Sequence, residues 1–345
     1  MKIVRYTIKG EPVSAARLGV VVGRDTVGDL RGGYARVLAD KGDGLALEVA
    51  TARVPADLAR FLAGGRAAQD ALKSTFDKLS SIARKDGDAV GLGGQPMFAP
   101  LASCTLHAPI HRPSKIIAVG RNYRDHLAEM KREIPFEAPS AWIKANSAIL
   151  GPTDEIVKPR ATDELDYETE LTLVIGSYCK DIPQKKAYDA IAGYMVMSDV
   201  TARDIVRIER KEGNQLFGKM FDGFAPMGPW MVTADEIKDP MDLPLRTRVN
   251  GKIRQNSNTS HMNWNIRQLV SFLSQMTLEP GDVVLTGTPE GVARGHKPVT
   301  DNWFLKPGDV LESEVTGVGT LRNPIVDDSK KKPSWNWPAA PAFKR

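Results

Sequence analysis

The sequence predicts a strand-rich α+β protein in which a larger body follows a small N-terminal α+β unit. Three observations carry this. From Lys115 onward, short apolar runs bounded by turn residues follow one another closely. Helical periodicity is confined to a few stretches. Composition also changes near residue 105, after the Gly- and Pro-rich connector GDAVGLGGQPMFAP at 87–100.

In the first unit, 1–105, strands are expected at 4–8 and 18–22. A helical stretch is expected over 55–85, where Leu72, Phe76 and Leu79 recur at i, i+4 and i+7 before an Asp86-Gly87 stop. In the body, 106–328, the apolar runs place strands at 116–119, 172–175, 194–197, 230–232, 245–249, 283–286 and 310–315. Two of them follow the same turn, Glu279-Pro280-Gly281-Asp282 and Lys306-Pro307-Gly308-Asp309, whose Pro-Gly pair suits a type II turn. Helices are expected at 123–131, 202–209 and 264–275. The Lys- and Pro-rich segment 329–345 reads as a tail lying on the body or on a partner subunit.

Composition narrows the function. Among 345 residues, 47 Lys plus Arg face 42 Asp plus Glu, and only Lys330-Lys331-Lys332 forms a run, so a nucleic-acid interface is not expected. Two cysteines, Cys104 and Cys179, cannot build a disulfide framework or a Cys-rich zinc site, which suits a reducing, cytoplasmic setting. No signal peptide and no apolar run long enough to span a membrane is present.

The chemistry concentrates in DELDYETELTLVIG, 163–176. Read as one strand, it points Tyr167, Thr169, Leu171, Leu173 and Ile175 one way and Asp166, Glu168 and Glu170 the other. Glutamates at i and i+2 lie about 6 to 7 Å apart, close enough to converge on one cation, although a solvated acidic edge has the same pattern. A second acidic position favours the cation: Asp199 ends the apolar run Tyr194–Ser198 just before a helix. Glu168, Glu170 and Asp199 supply three hard oxygen ligands without His or Cys nearby. That set favours Mg²⁺, with Mn²⁺ or Ca²⁺ as alternatives, over zinc or copper, and it leaves coordination positions for water and substrate.

The order and spacing of VGRNYRDH (119–126), DYETEL (166–171), SDVTARD (198–204), GKMFDGFAPMGP (218–229), VNG (249–251) and LTGTPEGV (285–292) resemble the fumarylacetoacetate hydrolase family. The resemblance implies a mixed β-roll of packed sheets with few helices, usually a homodimer, holding Mg²⁺ or Ca²⁺ on an acidic triad that falls on Glu168, Glu170 and Asp199. Members cleave C–C bonds in acylpyruvates and related diketo acids, while others decarboxylate oxaloacetate, dehydrate sugar acids or isomerise unsaturated oxo-diacids.

His126 and Glu129 share a face of the helix expected at 123–131 and resemble the family's lid dyad, the carboxylate orienting an imidazole that takes a proton from water. Lys219 could stabilise enolate charge, and Thr288 could present its hydroxyl to a substrate carboxylate. Arg121, Tyr123, Arg203 and Gln215 are further substrate contacts, with orientation of an acidic ligand as the other reading of Arg203. At 260–264 relatives commonly carry Asp and an apolar pair where this chain has His261, Asn263 and Trp264. Arg294, His296 and Lys297 in the following loop suit an anionic substrate or are solvated. The expected activity is metal-dependent hydrolysis of an acylpyruvate or related oxo acid, aided by His126 and Glu129. Decarboxylation, dehydration or isomerisation at the same site is the alternative.

Overall fold

The N-terminal apolar runs form an antiparallel meander of β1 (Lys2–Ile8), β2 (Arg17–Val22) and β3 (Thr26–Asp29) in the computed structural model, which describes residues 1–85, 89–130 and 137–328. Four helices follow: α1 (Leu30–Ala39), α2 (Ala46–Arg53), α3 (Leu58–Leu62) and α4 (Gly65–Ala83). The single helical stretch expected over 55–85 is therefore two helices, divided where the chain turns at Ala63 and Gly64. α4 buries Leu72 and Leu79 with Phe76 beside them, the stripe read from the sequence. The sequence reading gave no helix at 30–39, where Gly32 and Gly33 depress helical propensity; Asp29 nevertheless caps α1 by accepting from Gly32 N at 2.6 Å. The Asp86-Gly87 stop and the tail at 329–345 lie outside the described residues.

After β4 (Phe98–Pro100) and β5 (Cys104–His107) come β6 (Ile116–Gly120), α5 (Arg124–Glu129), β7 (Ser140–Lys144), β8 (Ile149–Leu150) and β9 (Ile156–Lys158). Next are β10 (Leu165–Asp166), β11 (Thr169–Ile175), β12 (Ile191–Ser198), β13 (Thr201–Ala202), α6 (Arg203–Lys211) and β14 (Ala225–Thr233). The chain continues through β15 (Pro244–Val249), β16 (Lys252–Asn258), α7 (Ile266–Leu273), β17 (Val283–Leu285), β18 (Val310–Val315) and β19 (Gly319–Asp327). The two repeated turns are type II in shape. Gly281 and Gly308 take φ of +88° and +95°, and each is braced by the next aspartate, which accepts from the backbone N of Glu279 or Lys306 at 2.8 Å.

Twelve strands make one mixed sheet ordered β4-β3-β2-β1-β14-β12-β11-β17-β6-β7, with β5 on β1 and β8 on β14. β1 pairs with β14, Lys2 opposite Val232, so the N-terminal meander continues the sheet of the body. A five-stranded sheet, β16-β15-β18-β19-β9, packs against one face. There Leu171, Leu173 and Ile175 of β11 meet Leu245, Val315 and Leu321, together with Ile266, Leu269 and Val270 of α7. The opposite face buries Val174, Met195, Met197, Met227 and Phe224. This is the strand-rich α+β architecture the sequence predicts, with seven helices among the described residues.

The strand expected over 163–176 is interrupted. β10 ends at Asp166, Tyr167 and Glu168 belong to neither strand, and β11 begins at Thr169. Tyr167 consequently packs in the opposite cluster from Leu171, not beside it. Every residue of β11 is buried, so Glu170 is not on a solvated edge. Leu173→Ala, which empties a fully buried site between two sheets, should lower unfolding free energy by about 2–5 kcal/mol in a denaturant titration.

Candidate metal centre and active site

The antiparallel register of β11 and β12 sets the centre. Thr169 lies opposite Ser198, so the residues just beyond the pair, Glu168 and Asp199, face one another, and Asp199 N donates to the Glu168 carbonyl at 2.9 Å. Glu170 sits two positions along β11. One carboxylate oxygen from each of Glu168, Glu170 and Asp199 lies within 4.8 Å of the others, and all three residues are buried, at 5%, 1% and 0% exposure.

Such a set is costly without counter-charge, and buried cations surround it. Lys219 Nζ donates to Glu168 Oε2 (2.8 Å), Asp199 Oδ2 (2.6 Å) and Thr201 Oγ1 (2.8 Å). Lys144 Nζ donates to Asp199 Oδ1 and to the Lys219 carbonyl, both at 2.5 Å. Arg203 donates through Nη2 to Glu168 Oε1 and through Nε to Asp166 Oδ2, the latter at 2.6 Å. Burial opposes ionisation of Glu168, but Arg203 and Lys219 outweigh it and hold its carboxyl well below the usual range. Glu170 has no cation bonded to it. Burial, then the charges of Asp199 and Glu168, push its carboxyl well above the usual range, although Gly287 N donates to it at 2.6 Å. The donor set thus fits a divalent cation: hard oxygens converge, and one of them is held at the electrostatic disadvantage that such an ion relieves.

Asp166, read as part of the acidic face, turns away from the triad. It accepts from Arg203 Nε and from the backbone N of Tyr167 (2.8 Å), Ala293 (2.7 Å) and Arg294 (3.3 Å). It cannot join the ligands because the chain bends between β10 and β11.

Beside the triad is a pocket lined in part by Arg121, His126, Arg203, Gln215, Lys219 and Thr288. His126 Nδ1 lies 3.3 Å from Glu129 Oε2, and Gly291 N donates to Glu129 Oε1 at 3.0 Å. That pairing keeps a proton on Nδ1 and leaves Nε2 for exchange. Thr288 Oγ1 accepts from Gln255 Nε2 (2.9 Å) and donates to the Thr169 carbonyl (3.1 Å). Gln215 lines the pocket with its Oε1 accepting from Arg210 Nε (2.8 Å) and Nη2 (2.6 Å). Tyr123 is not brought into the pocket lining: it is fully buried in the cluster of Leu171 and Val119, and burial drives its hydroxyl well above the ordinary range.

Arg121 takes φ +60°, a conformation costing a non-glycine residue about 1–3 kcal/mol. The neighbouring Asn122 holds it there. Its side chain donates to the carbonyls of Thr286 (2.8 Å) and Trp264 (3.1 Å) and accepts from Trp264 N (2.8 Å). Asn263 and Trp264 thus help fasten the pocket wall, while His261 pairs with Asp125 at 2.6 Å. His296 stacks on Trp303 at 3.7 Å, outside the pocket lining.

The sequence reading gave no role to Lys144, Arg210, Ser140, Trp142 or Gln255. Lys144 ends an alternating strand, SAWIK, and only the fold brings it 55 positions along the chain to Asp199.

The fold and centre define a family of enzymes built on an acidic metal triad: the chain belongs to the fumarylacetoacetate hydrolase family, whose C-terminal model matches residues 115–326. The oxaloacetate tautomerase fahd2, mitochondrial, of Xenopus laevis is 40% identical over 291 residues, 84% of each chain. Among solved structures, 5-carboxymethyl-2-hydroxymuconate delta-isomerase from Mycobacterium smegmatis superposes with a TM-score of 0.66 at 32% identity, over 95% of this chain and 100% of that one. Maleylpyruvate hydrolase from Sphingobium sp. SYK-6, in complex with manganese(II) and pyruvate, gives 0.67 at 27% identity over 95% and 99%. Among the described residues no helix is long and apolar enough to cross a membrane.

Glu170→Gln should weaken Mn²⁺ binding at least about tenfold by isothermal titration calorimetry, since it removes an anionic ligand. The same variant should raise the unfolding midpoint of the metal-free protein, because the native carboxyl is buried among like charges at a site that disfavours its ionised form.

Proposed function

We propose that the protein is a divalent-metal-dependent enzyme that moves a proton on a 2-oxo acid through an enolate, with keto–enol interconversion of an oxaloacetate-like oxo-diacid as its reaction. The observation carrying this reading is that His126, paired with Glu129, lines the same pocket as Glu168 and Glu170 of the buried triad. An ion held by Glu168, Glu170 and Asp199 would polarise the 2-oxo group and lower the cost of negative charge on its oxygen. His126 Nε2 takes a proton at one end of the enol system and returns one at the other, while Glu129 steadies the charged imidazole. In the ketonising direction the enol O–H bond breaks, its electrons form the carbonyl, and the C=C pair takes a proton at C3. Arg121 lines the pocket and offers its guanidinium to the substrate carboxylates, while Thr288 lines the same pocket with its hydroxyl proton given to the Thr169 carbonyl. Lys219 and Arg203 act through the ligands they bond: both hold Glu168 ionised, and Lys219 fixes the Asp199 carboxylate in place. The tautomerase named among the relatives, at 40% identity over 84% of the chain, supports this reaction over the others.

Hydrolysis of an acylpyruvate is the second reading, favoured by the same imidazole–carboxylate pair, which suits activation of water as well as it suits proton exchange at carbon. In that case water adds to the remote carbonyl, the C–C bond breaks, and the bond's electrons leave on the enolate of pyruvate. The family's homodimer and a Mg²⁺ or Mn²⁺ cofactor belong to both readings.

Two measurements divide them. Enol-oxaloacetate should lose its ultraviolet absorbance faster with the Mn²⁺-loaded enzyme than with buffer, and release of pyruvate from acylpyruvates should be slow by comparison; the reverse ranking would replace the first reading by the second. His126→Ala should reduce tautomerisation about 10²-fold or more, and undiminished turnover in that variant would remove the acid–base role.

A further inference from the structure

Asp166 is fully buried, is not one of the three triad carboxylates, and joins the ligand side of the site to the far end of the loop whose near end Gln255 and Thr288 tie to Thr169. On one side it fixes Arg203, which in turn bonds Glu168. On the other it accepts from Ala293 N at 2.7 Å and Arg294 N at 3.3 Å, pinning the loop that follows Thr288. Gln255 pins the near end of that loop, donating from Nε2 to Thr288 Oγ1 at 2.9 Å and to the Pro289 carbonyl at 3.0 Å. The loop touches Glu129 at two places, Gly291 between these anchors and Gly295 just past the second. Gly291 N donates to Oε1 at 3.0 Å, and Gly295 lies so close that a Cβ there would meet the Glu129 carboxylate at 2.1 Å. Glu129 ends α5, a helix of six residues, and among the described residues Gly291 is the backbone group that donates to its carboxylate.

We infer that Asp166 is a positioning residue that sets the His126–Glu129 pair through the 291–295 loop while setting the metal ligand Glu168 through Arg203. One buried carboxylate thereby takes part in placing both the acid–base pair and the metal centre. This rests on the reading of His126 and Glu129 as the acid–base pair. Misplacing a catalytic group by about 1 Å costs rate far more than it costs substrate binding, so the loss should fall on kcat and not on KM.

Two variants separate the arms. Asp166→Asn weakens both. Ala293→Pro removes the shorter of the two loop N–H contacts to Asp166 and leaves Arg203 its partner; Val292, with φ −62° and ψ 154°, already has the conformation that precedes proline, and Ala293 opens a 3₁₀ turn. Turnover of the best substrate should be measured at saturating Mn²⁺, and Mn²⁺ affinity by calorimetry. Ala293→Pro should lower kcat about 30-fold, with KM and Mn²⁺ affinity within about threefold of wild type. In a Glu129→Gln background Ala293→Pro should cost less than about threefold more, and Asp166→Asn should cost less than it does in the wild type, because the group positioned through the loop is already gone while the Arg203 arm remains. Wild-type kcat in folded Ala293→Pro would overturn the proposal, as would an Asp166→Asn loss that excess Mn²⁺ restores or that is undiminished by Glu129→Gln. Should Asp166→Asn fail to fold, Ala293→Pro alone decides. Full activity in Glu129→Gln would instead remove the acid–base reading and this proposal with it, an outcome recognisable because the others leave that variant impaired.

Discussion

The pairing of β11 with β12 is the interaction on which the site depends. It places Thr169 opposite Ser198 and so brings Glu168 across from Asp199, while the two-residue period of β11 turns Glu170 into the same space. A one-residue slip would send Glu170 into the apolar layer of Leu171 and Leu173 and carry those leucines to the metal side. Burial on both faces forbids the slip. The same apolar packing that stabilises the roll therefore also defines where three carboxylates must meet.

Collecting acids in a dry interior creates an electrostatic problem that the surrounding residues solve unequally. Asp166, Glu168, Glu170 and Asp199 face Lys144, Lys219 and Arg203, four potential negative charges against three positive ones. Glu168 and Asp199 receive direct cation contacts, whereas Glu170 receives a peptide N–H. The shortfall sits at Glu170, and that asymmetry suits the cluster to hold a divalent ion where a closed ion-pair network would not. Lys219 is committed to the ligands in this arrangement. Its contribution is to keep Glu168 ionised and to hold the Asp199 carboxylate in place, a different task from meeting substrate charge directly.

Much of the fold was readable because its signals are local. The strands at 116–119, 245–249 and 310–315 stand where apolar runs put them, and both Pro-Gly turns have the positive φ that only their glycines take readily. Where local signals conflict, tertiary packing decided. α1 forms despite Gly32 and Gly33, and Tyr167 leaves the face that strict alternation assigns it because the strand breaks beside it. Tyr123, read as a substrate contact from its motif, is instead covered by the apolar layer.

By itself the sequence determined which residues can meet the ion and which family the chain resembles, since strand period, i to i+3 spacing on a helix and ordered motifs are properties of neighbours along the chain. Only the tertiary structure decided how that charge is balanced and aimed. Lys144 reaches Asp199 across 55 positions, Gln255 reaches Thr288 across 33, and Asp166 reaches Ala293 across 127. Hydrogen bonds between residues so far apart carry no trace in local composition, because each exists only once the sheets have packed and excluded water from both partners.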